Sequence, residues 1–386
     1  MYMDLFGFYF SWVELAVFAI LFVAFVYQLY FYIRYIAGIL RRTRQVKKNK
    51  IHFNTAKPPV SIIIAAKNEE DNLRRFLPKI MEQDYPEFEV IVINDASTDD
   101  TDFLCDTYKK KYPNFRTTFV PQETKNINSK KLAVTLGIKA AKYDILLFTD
   151  ADCYPENKSW IASMIRNFKS ETEFVLGYGA YLKKKGFLNR LITYDTLFIA
   201  MQYLGMAAVG KPYMGVGRNM AYRKESFFNQ KGFSSNLDIL SGDDDLLVNK
   251  GSNEKNTNIE ISPESITWSE PKIRFWDWYY QKSRHLSSSV KYKYSTKMRL
   301  AIEPFIRGLF YLSFILSVAF GNLITLIAAS TLFLLRWTTQ MIIINRTARI
   351  YKERRYYFSL LILDILLPSI NLFILIFRRK RKISWK

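Results

Sequence analysis

Two cysteines, Cys105 and Cys153, and two histidines, His52 and His285, are all the thiol and imidazole ligands this chain holds. Their spacing gives neither a zinc module nor a disulfide framework, which fits a domain in a reducing compartment. So few histidines also argue against a His-based metal centre. No G-x-G-x-x-G dinucleotide fingerprint, long internal repeat or low-complexity tract occurs. Acidic residues are in deficit as well: 35 Asp and Glu face 56 Lys and Arg, a net charge of +21. That excess calls for an anionic surface or ligand, and phospholipid, nucleotide phosphate and nucleic acid all qualify.

Apolar residues are what the chain has in plenty. They make up 49 % of the 386 residues while 24 % are charged, a mixture that implies a water-soluble domain joined to membrane segments. Residues 1–40 read as an N-terminal transmembrane anchor, because Phe8 to Leu40 is long enough to cross a bilayer and too long for a signal-peptide core. Asp4 is the one charge before it. Residues 41–57 read as a basic juxtamembrane linker with Arg41, Arg42, Arg44, Lys47, Lys48 and Lys50. The positive-inside rule puts the N-terminus outside and the soluble domain in the cytosol, so a multi-pass protein of the inner (cytoplasmic) membrane is expected. Membrane lipids account for these cations, and no nucleic-acid partner is expected.

Residues 58–270 read as the soluble domain. Val60–Ala66, Glu89–Asp95, Phe115–Val120 and Ile145–Phe148 have the length and content of strands. Helical spacing of Leu73, Phe76, Leu77 and Ile80, and helix-forming content around Leu104 and from Ser129 to Ala141, fill the gaps. That alternation implies right-handed βαβ crossovers and a largely parallel sheet. Further on, Trp160–Phe168 and Leu188–Ala208 read as helical, Glu173–Tyr181 as a strand, and Gly215–Lys224 as a glycine-containing turn into a strand. Residues 271–303 form an aromatic, basic segment with no acid after Asp277, suited to the membrane interface. Residues 304–377 read as C-terminal membrane helices, either one long helix or two turning at Gly321-Asn322, followed by Tyr357–Phe377. Basic residues flank that last segment on both sides, which suggests a re-entrant or interfacial hairpin kinked at Pro368. Residues 378–386 are a basic tail.

Chemistry concentrates where strand-like Ile145–Phe148 ends in Thr149-Asp150-Ala151-Asp152. Side chains two residues apart in a strand share a face. Both aspartates can therefore serve one site where the strand ends and the chain turns, at the carboxyl edge where open α/β sheets bind ligands. Two hard oxygen ligands on a bend suit Mg²⁺ or Mn²⁺. A second acidic cluster, Asp243-Asp244-Asp245, follows Gly242 between apolar residues. Neighbouring carboxylates raise one another's pKa, which suits a general base working near neutrality.

Five ordered pieces resemble the family 2 glycosyltransferases, the membrane-anchored inverting group that includes cellulose, chitin and hyaluronan synthases and many non-processive relatives. They are Val60–Glu70, Val92–Asp99, Thr149–Asp152, Gly242–Leu246 and Gln281-Lys282-Ser283-Arg284-His285, and the resemblance covers about Pro58 to His285. It implies an α/β fold of GT-A type, a Rossmann-like mostly parallel sheet flanked by transmembrane and interfacial helices. It implies a hexosyltransferase that moves a sugar with inversion from a nucleotide-diphosphate donor, a UDP-sugar foremost, to a lipid-linked or nascent-glycan acceptor. Ala65, Ala66, Glu69 and Asp95 fall where the family holds the nucleoside, and Lys130, next to Lys131, where a lysine approaches the nucleotide. Asp150 and Asp152 would hold the metal on the diphosphate, Asp152 as the firmer ligand, with Cys153 packing behind. The base would be Asp243, Asp244 or Asp245, and alignment on the glycine selects Asp244. Gln281 and Arg284 match the family's Q-x-x-R-W and would meet donor or acceptor. His285 stands where tryptophan is usual. In processive synthases that tryptophan helps form the acceptor site, so its replacement weighs against the alternative of a processive polysaccharide synthase that exports its product. A non-catalytic membrane scaffold is the remaining alternative.

Overall fold

The structure is a computed structural model that describes residues 2–5, 8–121, 129–237 and 241–377. The basic tail expected at 378–386 lies outside the described residues. A short hairpin, β1 (Tyr2–Leu5) and β2 (Phe8–Ser11), leads into α1 (Trp12–Phe31). Ser11 and Glu14 close a reciprocal capping box at 3.1 and 2.8 Å. A π-helical turn, Tyr32–Ile36, joins α1 to α2 (Gly38–Lys47). Most of the basic stretch read as a linker is therefore helical, carried on from the anchor. Gly38 lies against Gly205 of a later helix so closely that a Cβ on Gly38 would stand 2.5 Å from the Gly205 carbonyl oxygen. Only two glycines permit that approach.

The soluble domain begins with β3 (Val60–Ala66), α3 (Glu70–Met81), β4 (Phe88–Asn94), α4 (Thr101–Lys111), β5 (Phe115–Phe119), α5 (Ser129–Ala140) and β6 (Ile145–Phe148), in the order the sequence predicts. It continues through β7 (Cys153–Pro155), α6 (Trp160–Ile165), β8 (Phe174–Leu176), β9 (Gly179–Tyr181) and α7 (Phe187–Ala207). It ends with β10 (Met220–Arg223), α8 (Lys224–Asn229), α9 (Asp245–Gly251), β11 (Thr257–Ile259) and β12 (Thr267–Ser269). Seven strands form one sheet in the order β11-β8-β10-β6-β3-β4-β5, and β10 alone runs against its neighbours. Side chains of α5 and α7 cover one face; α3, α4 and α6 cover the other. Burial on both faces explains why β3, β4 and β6 read as unbroken apolar runs.

One sequence expectation is corrected here. Glu173–Tyr181 is two strands, because β9 leaves the large sheet to join β7 and β12 in a second one. The switch falls at Gly177, where an added Cβ would lie 2.8 Å from the Asn219 side chain. Asn219 is wholly buried there, donating to the Tyr178 and Ser265 carbonyls.

Four helices close the chain: α10 (Phe275–Ser288), α11 (Tyr294–Phe320), α12 (Leu323–Ile350) and α13 (Ser359–Phe377). The chain does turn at Gly321-Asn322. The Asn322 side chain caps α12, and its N–H donates to Glu14 at the head of α1, 2.9 Å away. The spans Trp12–Ile36, Tyr294–Phe320, Leu323–Ile350 and Ser359–Phe377 are long and apolar enough to cross a membrane. The hairpin expected at Pro368 does not form, and α13 continues as one helix past the proline. Pro368 removes the N–H that would meet the Asp364 carbonyl, and Arg307 donates to that oxygen instead at 3.2 Å. Helix α13 also touches α7 and α10. Arg190 of α7 donates to Ser359 at 3.1 Å, and Phe373 packs on Tyr279 of α10 at 6.4 Å.

A buried ionic network joins these helices. Asp364 accepts from Arg307 at 3.0 Å, Arg336 at 2.8 Å and the Tyr311 hydroxyl at 2.6 Å; Glu303 pairs with Arg307 at 2.6 Å, and Gln28 of α1 accepts from Arg336. Two carboxylates balance two guanidiniums. Removing one partner from such a set strands a buried charge. Asp364→Leu is therefore expected to destabilise the helical bundle by about 3–5 kcal/mol. Thermal unfolding of the detergent-purified protein should show it as a lowered midpoint, and an unchanged midpoint would refute it.

Candidate active site

The strand register builds the site. Parallel β3 and β6 pair Ile63 with Phe148, so Ala65 and the Asp150–Asp152 bend emerge together at the carboxyl edge. Ala66 pairs with Asn94, which brings Asp95 to the same edge. Asp95 is buried and lies 3.4 Å from the Lys67 ammonium, while its N–H donates to the Ala66 carbonyl. Glu69, at the start of α3, accepts from Asn72. Ala65, Ala66, Glu69 and Asp95 thus share one end of the sheet.

Lys130 on α5 links the two acidic clusters. Its ammonium is 3.2 Å from Asp150 and 3.3 Å from Asp243. Burial opposes its charge, but Asp150, Asp243 and Asp244 outweigh that and raise its pKa. Lys131, beside it, is buried and donates to the Asn236 carbonyl. A cavity lined by Ala65, Lys130, Asp150, Gly217, Asp243 and Asp244 lies at this junction.

The three adjacent aspartates divide. Asp243 faces Lys130; burial pushes its pKa up, but Lys130 prevails and holds it below the usual range. Asp244 caps α9 and accepts the Gly217 N–H at 2.6 Å and the Asp245 N–H at 2.8 Å. Burial, then the charges of Asp243 and Asp245, push Asp244 up to about 7. Asp245 turns away from the cavity, accepting from Ser288 and, at 2.7 Å, from Tyr292. It fastens α9 to the end of α10 and the segment that follows.

Asp150, Asp152 and Cys153 bring their ligand atoms within 4.8 Å of one another. Burial keeps the Cys153 thiol protonated, and it donates to Asp152 at 3.4 Å. The pair of carboxylates, without the thiol, has the chemistry of a donor set for a hard divalent cation. Helix α10 closes the site: Gln281 donates to the Tyr181 hydroxyl at 3.1 Å, and the Arg284 charge acts on Lys130. The protein packed around the His285 ring, then Arg284, Arg218 and Lys130, lower its pKa, so the ring is neutral.

Residues 61–228 match the sequence profile described as glycosyl transferase family 2. This chain carries a family 2 glycosyltransferase domain. It is similar to a probable glycosyltransferase, YdaM, of Bacillus subtilis, 25 % identical over 237 residues, which are 59 % of this chain and 54 % of that protein. It is similar to a poly-beta-1,6-N-acetyl-D-glucosamine synthase of Staphylococcus epidermidis, 30 % identical over 138 residues, 35 % of this chain and 32 % of the synthase. The chain thus spans about half the length of the first relative and a third of the second. A mannosyltransferase from Pyrobaculum calidifontis, solved in complex with GDP-Man and Mn²⁺, has the same fold: TM-score 0.52, 20 % identity, 87 % of this chain and 99 % of that one covered.

In this glycosyltransferase domain the sequence reading passed over Arg218 and Tyr181. The Arg218 guanidinium stacks 4.3 Å above the Tyr181 ring and donates to the Gly179 carbonyl at 2.8 Å. Tyr181 in turn holds Gln281, so the pair connects the metal-type bend to α10. The signal was present in Gly215-Val216-Gly217-Arg218-Asn219, where a glycine turn presents a cation; it registered only as a turn.

Proposed function

We propose that this chain transfers a sugar, with inversion, from a nucleotide-diphosphate donor to a lipid-linked or nascent-glycan acceptor at the cytoplasmic membrane face. The single observation that carries this reading is Lys130 touching both Asp150 and Asp243, which joins a diphosphate site to a base site across about one side chain. Ala65, Ala66, Glu69 and Asp95 hold the nucleoside. Lys130 and Arg284 face the diphosphate, where Arg can fork onto two oxygens. Asp150 and Asp152 would hold Mg²⁺ or Mn²⁺, which would neutralise charge growing on the leaving diphosphate. Asp244 takes the proton from the acceptor hydroxyl. That oxygen bonds to the anomeric carbon from the face opposite the diphosphate, and the bond from carbon to the diphosphate oxygen breaks. Gln281 lines the meeting place of donor and acceptor.

Residues 58–270 form the catalytic domain in this reading, held at the membrane by α1, α11 and α12, with 271–303 at the interface. A UDP-sugar is the first donor to try. The test supplies a panel of labelled UDP- and GDP-sugars to inside-out and right-side-out vesicles containing the protein, with Mg²⁺, Mn²⁺ or chelator. Metal-dependent transfer is expected only in inside-out vesicles. No transfer or donor hydrolysis in either orientation, or transfer only from the outer face, overturns the reading. The likeness to a polysaccharide synthase favours a second reading, processive synthesis. Product length separates the two: one or two added sugars, or a long polymer.

A further inference from the structure

Helix α10 carries Gln281 and Arg284, and its rotation determines where they point. A slip of one residue swings every side chain by about 100°. Gln281 has a tether of its own in the Tyr181 hydroxyl. Arg284 has none: among the described residues nothing accepts a hydrogen bond from its guanidinium or pairs with it. The helix alone aims it. Beside Gln281, and so about 100° around the helix, Lys282 reaches Asp195 of α7, with ammonium and carboxylate 2.5 Å apart. Each residue is only 5 % exposed. Neither has a part in the transfer described above.

Two observations point to placement as the use of this pair. First, it is sparsely bonded. The Oδ1 atom of Asp195 is buried and meets no donor among the described residues. A buried ion pair with oxygens left unsatisfied adds little stability over apolar residues of the same volume, and the best-attested use of such groups is to fix a register. Second, Asp195 stands on the helix to which several neighbouring elements are already fastened. On α7, Asn189 accepts from Arg354 at 2.7 Å and Thr193 from Tyr356 at 2.8 Å, both donors lying in the loop between α12 and α13. Arg190 meets Ser359 of α13, and Gly205 lies against Gly38 of α2. Lys282 keys α10 to that same element.

We propose that the Lys282–Asp195 pair fixes the rotation of α10 on α7 and thereby aims Arg284 at the donor. The inference rests on the transferase reading and gives both residues a positioning role. Two variants break the pair. Lys282→Met/Asp195→Leu replaces it with apolar side chains and strands no charge; Asp195→Asn keeps the shape. Lys282→Arg keeps the charge. Full-length protein in nanodiscs is spin-labelled at Phe103→Cys on α4 and Trp276→Cys on α10, both exposed, while the native Cys105 and Cys153 are buried. The distance between labels, read by electron paramagnetic resonance, is expected to be narrowly distributed in the parent and in Lys282→Arg, and broadened in both pair-breaking variants. Misplacement of a binding group costs rate, so each pair-breaking variant is expected to lower kcat about thirtyfold. Lys282→Arg is expected to stay within about threefold of the parent. A double-mutant cycle with Arg284→Gln separates placement from general loosening of the fold. With Arg284 gone, breaking the pair is expected to change kcat less than about twofold, since its effect passes through that side chain. A further loss of about thirtyfold in that background, independent of Arg284, overturns the proposal. So does a parent-like distance distribution or parent-like kcat in both pair-breaking variants. Absence of transfer by the parent would strike the transferase reading instead, and the label distances would still report whether the pair places α10.

Discussion

Asp244→Asn is expected to lower the transfer rate about a thousandfold, within the range a positioned general base supplies, while donor affinity changes less than about threefold. Asparagine keeps the shape, and its one amide oxygen can keep the α9 cap by accepting the Asp245 N–H, while the bond from the Gly217 N–H is given up. The proton acceptor is lost. The pH profile gives the sharper measurement. A base acts as the carboxylate, and burial with two like charges raises the Asp244 pKa to about 7. Activity should therefore be full above that value and fall about tenfold per unit as pH drops below it. In Asp244→Asn the residual rate should lose that acid limb. A limb near 7 that persists in the variant would move the base elsewhere. Asp245, held by Ser288 and Tyr292, would then have to be released from its fastening role before it could serve.

Asp152→Ala is expected to abolish metal-stimulated transfer, by at least about a hundredfold, the scale on which a preorganised electrostatic contact acts in a transition state. Excess Mn²⁺ should not restore it. A second readout is independent of turnover: Mn²⁺ binding to the purified protein, followed by electron paramagnetic resonance, should weaken in Asp152→Ala and remain in Cys153→Ser. The contrast follows from the thiol being protonated and donating to Asp152, so that serine can keep the hydrogen bond. Wild-type Mn²⁺ affinity in Asp152→Ala would show that the bend is not the metal site.

The parts of this molecule that were legible in its sequence are those set by short-range rules. Continuous apolar runs marked β3, β4 and β6 because both sheet faces are covered. Gly321-Asn322 marked the α11–α12 turn because asparagine caps the next helix. The Asp150–Asp152 pair was legible because carboxylates two residues apart share a face and close an apolar strand-length run. Long-range contacts hid the rest. Nothing local reveals that Arg307, 61 residues before Pro368, satisfies the carbonyl the proline leaves open. Asp245 could not be told from its neighbours, since its partners Ser288 and Tyr292 come more than forty residues later. The division of Glu173–Tyr181 between two sheets depends on Asn219, equally distant in the chain.

The contact of Gly38 with Gly205 has a consequence for how substrates arrive. Two backbones pressed together fasten α2, which continues the apolar span Trp12–Ile36, to α7 under the catalytic sheet. In the transferase reading, with that span in the bilayer, this contact sets how far the cleft stands from the lipid, and the length of an acceptor's tether would then count alongside the identity of its sugar.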